Sequence, residues 1–247
     1  PTRRSSDLAA IELDSSHAKA YNNRGNVFLA KNELSLALSD FDKAIELDPT
    51  YAKAYANRGL VYANQEEYDK SIDDFTNAIE LNPTLSEVYN NRGLVFLYSG
   101  KTKAALEDFS KAIEIYPEYE NAYYNRALAY LSSGSMNEAI FDFNKVIKIN
   151  PNMAEAYSNR GLAYSYLGVL NQAIADYTLA IQIDPNLIEA YRNRASDYYF
   201  MRRYSEAQAD AMKVKELGDS MDSGFLNDLE KASKKKKGIF SFWQKDK

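Results

Sequence analysis

The chain has 247 residues, 45% hydrophobic and 26% charged, with a formal net charge of −5. With no cysteine and one histidine it has no disulfide framework, no Cys-ligated metal, no thiol nucleophile and no His pair for a metal, and no apolar run reaches the roughly 18 residues of a membrane-spanning helix. Ten glycines and six prolines argue against a turn-rich all-β protein, while twenty tyrosines are an excess that needs a cause. In chain order, residues 1–7 (Pro-Thr-Arg-Arg-Ser-Ser-Asp) lack an initiator Met and resemble translated read-through of a sequencing-library adapter, a non-native scar to set aside. Residues 8–17 follow, and LAAIEL at 8–13 reads as a remnant of the second helix of an earlier repeat. The chain is therefore expected to be an N-terminally truncated fragment, and its localisation is left unassigned. His17, in the loop after the remnant, is expected to be a solvated residue.

From there a period of 34 takes over. Tyr21, Tyr55, Tyr89, Tyr123, Tyr157 and Tyr191 are each 34 residues apart, each followed by Asn-Arg and then by Gly or Ala. Prolines keep the same frame at Pro49, Pro83, Pro117, Pro151 and Pro185. The units are 18–51, 52–85, 86–119, 120–153, 154–187 and 188–221. In the first, Tyr21, Gly25 and Phe28 mark one face of a helix, and Ala37, Phe41, Ala44, Ile45 and Leu47 mark a second amphipathic helix. The second helix stops at Asp48-Pro49, because proline disfavours helical geometry in the residue before it. Small residues at unit positions 8 and 20 let two helices approach closely while aromatics fill the flanking gaps. A single hairpin cannot bury its apolar stripe, but stacked hairpins can.

This pattern resembles the tetratricopeptide repeat (TPR) family, in an Asn-Arg-Gly subclass. Counting from Ala18, aromatics stand at 4, 11 and 24, small residues at 8, 20 and 27, and proline at 32, over about 204 residues. The sixth unit departs, with Ala211 for the aromatic and Asp219 for the proline. The resemblance implies an all-α fold, a right-handed superhelical solenoid of antiparallel helix pairs. It also implies that positions 2, 6, 9 and 13 line a concave binding groove.

Position 6 is Asn in every unit: Asn23, Asn57, Asn91, Asn125, Asn159 and Asn193. An amide both donates and accepts, which suits holding the backbone of an extended peptide; the plainer reading is a polar residue tolerated on a solvated face. Variable neighbours complete the expected peptide groove, namely Asn26, Asn90, Leu94, Tyr98, Tyr124, Leu128, Tyr166 and Arg192. Their apolar and aromatic character favours hydrophobic peptide side chains. The family's carboxylate clamp for chaperone tails needs basic residues where this chain has Asn22, Glu87 and Asn91, so that partner is not expected. Position 7 is Arg and position 23 Asp throughout. In an antiparallel hairpin these two stand level, which predicts structural ion pairs Arg24–Asp40, Arg58–Asp74, Arg92–Asp108, Arg126–Asp142, Arg160–Asp176 and Arg194–Asp210. The rival reading, a basic stripe for nucleic acid, is weakened by the Asp that accompanies each Arg.

Past the sixth unit, a capping helix is expected over 220–233 and a basic-aromatic, disordered tail over 234–247. Lys234, Lys235, Lys236 and Lys237 beside Phe240, Phe242 and Trp243 are candidates for contact with an anionic membrane surface. Residues 8–230 hold 21 basic and 33 acidic residues, a net −12, so the body is acidic and the tail basic. The expected function is a non-enzymatic scaffold for protein–protein interaction, with no cofactor and no metal, binding an extended peptide or partner protein in its groove. The alternatives are a substrate-recruiting array of a larger enzyme or sensor, or a membrane-surface adaptor using the tail.

Overall fold

The computed structural model describes residues 17–244, with side chains as far as residue 234. Among the described residues there are thirteen α-helices and no strand. Six hairpins come first: α1 (Ala18–Ala30) with α2 (Leu34–Leu47), α3 (Ala52–Asn64) with α4 (Tyr68–Leu81), α5 (Ser86–Tyr98) with α6 (Thr102–Ile115), α7 (Glu120–Ser132) with α8 (Met136–Ile149), α9 (Ala154–Tyr166) with α10 (Leu170–Ile183), and α11 (Ile188–Phe200) with α12 (Tyr204–Glu216). The last helix is α13 (Ser223–Gln244). The chain divides into two compact units, residues 1–129 and 130–247. In the first, α1 packs on α2, α3 on α4 and α5 on α6, and α2–α3 and α4–α5 join consecutive hairpins. In the second, α8–α9, α9–α10, α10–α11, α11–α12 and α12–α13 pack in the same serial way.

The turns repeat as faithfully as the helices. The turn inside each hairpin places one residue in the left-handed region, at Asn32, Glu66, Gly100, Gly134, Gly168 and Arg202. The next residue's N–H then reaches back to a carbonyl of the first helix, as in Glu33 N to Phe28 O and Lys101 N to Phe96 O. This closes the helix end on its own orphan carbonyls. Between hairpins, Asp48, Asn82, Asn150 and Asp184 accept the backbone N–H two residues on, across the intervening proline. The side-chain oxygen thus satisfies the N–H of the residue after the proline and fixes the turn.

In the first, second, third and fifth hairpins the two helices touch where an aromatic of the second meets a glycine of the first. A Cβ on Gly25 would lie 2.6 Å from Phe41, one on Gly93 2.7 Å from Phe109, and one on Gly161 2.8 Å from Tyr177. Glycine's cost inside a helix, about 1 kcal/mol against alanine, is offset by the buried ring. In the sixth hairpin both partners change together: Ala195 replaces the glycine and Ala211 the ring, and both sit in the core with Val214. The helix expected at 220–233 is observed as Ser223–Gln244. It keeps the 34-residue register, so Phe225 and Leu229 take positions 4 and 8 of a seventh first helix. Leu229 is 2% exposed and closes the same core as Met221 and Tyr191. The adapter-like residues 1–7 and the remnant 8–16 lie outside the described residues, as do the side chains of Lys235 to Lys237, Phe240, Phe242 and Trp243.

Candidate functional site

In the first, second, third, fifth and sixth repeats an arginine of the first helix is bound to an aspartate of the second. Arg58 donates from Nε and Nη2 to the two carboxylate oxygens of Asp74, at 2.7 and 2.8 Å. The same two-pronged bond joins Arg24 to Asp40, Arg92 to Asp108, Arg160 to Asp176 and Arg194 to Asp210. Every one of these bonds is internal to a repeat. The aspartates are buried, and the guanidinium groups of Arg24, Arg58, Arg92 and Arg194 each approach two rings of their own helix, as Arg58 does Tyr55 and Tyr62 at 5.6 and 5.9 Å. The aromatic residues at positions 4 and 11 therefore combine packing with a cation–π clamp. The hydrogen bond to Asp74 outweighs the opposing effect of burial and raises the pKa of Arg58.

The third nitrogen, Nη1, reaches the preceding repeat. Arg58 donates to Asp42, Arg92 to Thr76, Arg126 to Ser110, Arg160 to Asn144 and Arg194 to Thr178, at 2.6–3.0 Å. These acceptors all stand at position 25, which sequence reasoning passed over because its residue type varies. What does not vary is the oxygen. The pattern stops where the arginine stops: position 7 of α13 is Asp228, and position 25 of the sixth repeat is Met212, 66% exposed.

The asparagines at position 6 are half-buried in every repeat. Two of them also stitch neighbouring first helices: Asn57 Nδ2 donates to Asn22 Oδ1 at 2.8 Å, and Asn125 Nδ2 to Asn90 Oδ1 at 2.9 Å. Asn22 and Asn90, at position 5, are accordingly buried. Asn91 accepts a long bond from Asn90, at 3.4 Å. In the first unit, Asn22, Asn23, Asn26 and Asn57 line an open groove of about 1100 Å³, together with Lys19, Lys31 and Lys53. Asn90, Asn91, Leu94, Tyr98, Tyr124, Asn125 and Leu128 do not line this cavity. Tyr98 is 72% exposed, and Leu94, Tyr124 and Leu128 are half-buried. In the second unit Asn159 and Asn193 are half-buried and Tyr166 is exposed. Arg192 donates to Asp219 at 2.6 Å and to the Ser220 carbonyl, tying α11 to the loop before α13. Lys234 pairs with Glu230 on its own helix.

One polar cluster went unnoticed in the sequence. Position 24 is Phe in four repeats but Tyr177 in the fifth, and around it Ser165 and Asp197 replace residues that are apolar in the first four repeats. Ser165 Oγ donates to Asp197 Oδ1 at 2.7 Å. The Tyr177 hydroxyl and Asp197 Oδ2 are buried without a hydrogen-bond partner. Burial raises the pKa of the Asp197 carboxyl, opposed by the Ser165 bond. Burial and the Asp197 charge raise the pKa of the Tyr177 hydroxyl. The readable signal was three substitutions arriving together at one junction. Among the described residues, no group of acidic and histidine side chains could hold a metal, and no helix is long and apolar enough to cross a membrane.

Comparison with known proteins agrees with this architecture. The family described as "Tetratricopeptide repeat" matches residues 52–85, 86–119, 120–153 and 154–187, and a second description, "TPR repeat", matches 25–66. Among solved structures, YrrB, described as a TPR protein with an unusual peptide-binding site, is 30% identical with a TM-score of 0.63, covering 74% of this chain and 95% of its own. The MamA protein is 25% identical with a TM-score of 0.62, over 68% of this chain and 92% of its own. PilF of Pseudomonas aeruginosa, at 20% identity and a TM-score of 0.72 over 83% and 93%, shares the fold. No curated protein matches the chain.

Proposed function

The chain belongs to the tetratricopeptide repeat family, whose repeats generally mediate protein–protein interaction, and on that premise we propose that it is a non-enzymatic scaffold holding an extended peptide in the groove of its first helices. The observation that carries this reading is the placement of Asn23 and Asn57 on an open groove of about 1100 Å³. Half-buried amides recurring once per repeat can hydrogen-bond a peptide backbone at a regular interval and so bind without reading its side chains. The aromatic side chains of Tyr98 in the first unit and Tyr166 and Phe200 in the second, all exposed, supply apolar contact that the molecule itself leaves unused. A peptide-binding site in the similar YrrB supports the same reading.

The test is capture of partners by the immobilised full chain, compared with an Asn23→Ala/Asn57→Ala variant. Capture is expected to be lost while the helical circular dichroism stays unchanged. Undiminished capture would move the binding surface elsewhere on the protein.

A further inference from the structure

The groove of the first unit is positively charged in a body that is not. Lys19 and Lys53 occupy position 2 of consecutive repeats, and Lys31 closes the same cavity. Around them the body carries a net −12, and lysines elsewhere have found acids. Lys43, Lys111 and Lys213 each pair with a glutamate three residues further along the same helix, at 2.7, 2.8 and 3.0 Å. Lys19 and Lys53 have no acid three or four residues away on either side of them on α1 and α3. Neither makes an ion pair among the described residues, and both are exposed. Lys31 has only a 3.9 Å approach from Glu33.

Two exposed cations without partners, one repeat apart, raise the local potential of a cleft, and a cleft lined by one sign concentrates ligands of the other. The stretch has a limit. Position 2 of the third repeat is Glu87, which also lines the cavity, and in the second unit the same position carries Glu155 and Glu189.

We infer that the first unit's groove selects an acidic segment inside an extended peptide. In this assignment Lys19 and Lys53 take successive side-chain carboxylates while Asn26 and Asn57 hold the backbone between them. It rests on the groove reading proposed above and adds the chemistry of the ligand. A terminal carboxylate is not required, because the two ammonium groups stand one repeat apart and meet two separate anions. Glu87 repels further acid, which sets the length of the acidic stretch to the span of two repeats.

The experiment uses the full chain and peptides of about eight residues, carrying fluorescein on the N-terminal amine and amidated at the C-terminus, in three forms: alternating Asp and Leu, alternating Asn and Leu, and alternating Lys and Leu. Fluorescence polarisation is expected to show the Asp peptide binding about tenfold or more tightly than the Asn peptide, and losing that margin between about 50 and about 500 mM salt. Lys19→Glu/Lys53→Glu, checked for helicity, is expected to abolish the preference for Asp. A free C-terminus on the Asp peptide is expected to change affinity less than about twofold. Equal binding of the Asp and Asn peptides, an unaffected double variant, or dependence on the free C-terminus each overturns the inference. If the Asn or Lys peptide binds best and Asn23→Ala/Asn57→Ala removes it, the groove reading stands and the acidic assignment falls. Should none of the three bind, both fall.

Discussion

The Arg92 guanidinium has a ring on each side and two nitrogens on one carboxylate, an arrangement that a lysine ammonium cannot copy. Beneath it Asp108 is nearly buried, so removing the arginine alone strands a buried charge. Arg92→Leu is expected to cost about 3–5 kcal/mol, and Arg92→Leu with Asp108→Asn distinctly less, by urea unfolding of the full chain. Equal losses would show that the pairing is not the reason for the arginine. Asp197 poses the opposite problem, a carboxyl with one oxygen satisfied by Ser165 and the other buried without a partner. Its pKa is raised in the folded chain, chiefly by burial. Such a group binds its proton more tightly folded than unfolded, so stability falls as pH rises from the ordinary carboxylate range through the raised value. Asp197→Asn keeps an acceptor for Ser165 and adds an amide donor facing the Tyr177 side of the cluster. At pH 7 it is expected to stabilise the protein by about 1 kcal/mol, or about 2–4 °C in Tm. The advantage should vanish in thermal scans below the ordinary carboxylate range.

At the scale of the element, α13 shows how a repeating structure ends. It enters in register, half-buries Phe225 and buries Leu229 where a seventh repeat would put its aromatic and its small residue, and offers charge outward. Since each hairpin leans only on its neighbours, damage there should stay local. Leu229→Ala is expected to cost about 2–5 kcal/mol. Amide exchange should speed up in α11 and α12 and stay unchanged in α1–α4; uniform acceleration would contradict the serial packing. The hairpins themselves were legible in the sequence because Gly and Phe, Asp and Pro fall at fixed spacing, and each has one physical reason to be there. The left-handed turn residue was less legible. Gly100, Gly134 and Gly168 announce it, but Asn32, Glu66 and Arg202 hold the same conformation without the residue type that normally signals it. There the tertiary hairpin overrides local preference.

For the molecule as a whole, the all-helical repeat class could be read directly, whereas the division of labour among polar residues could not. The asparagines looked like one row with one purpose; the structure shows Asn57 and Asn125 also holding the buried position-5 residues Asn22 and Asn90. Lys19 and Lys53 stand one repeat apart with nothing in the sequence to single them out, and the groove brings them together. The arginine bridges carry a further consequence. Every junction between repeats is built half from the acceptor at position 25 of one copy and half from the arginine of the next. An in-frame duplication or deletion of one interior copy therefore recreates a junction of the same chemistry at the new seam. Unequal recombination can lengthen or shorten such a gene without inventing an interface. Met212 and Asp228 withhold both halves at the seam between the sixth repeat and α13, so a copy inserted at that seam would not meet the arginine bridge on both sides.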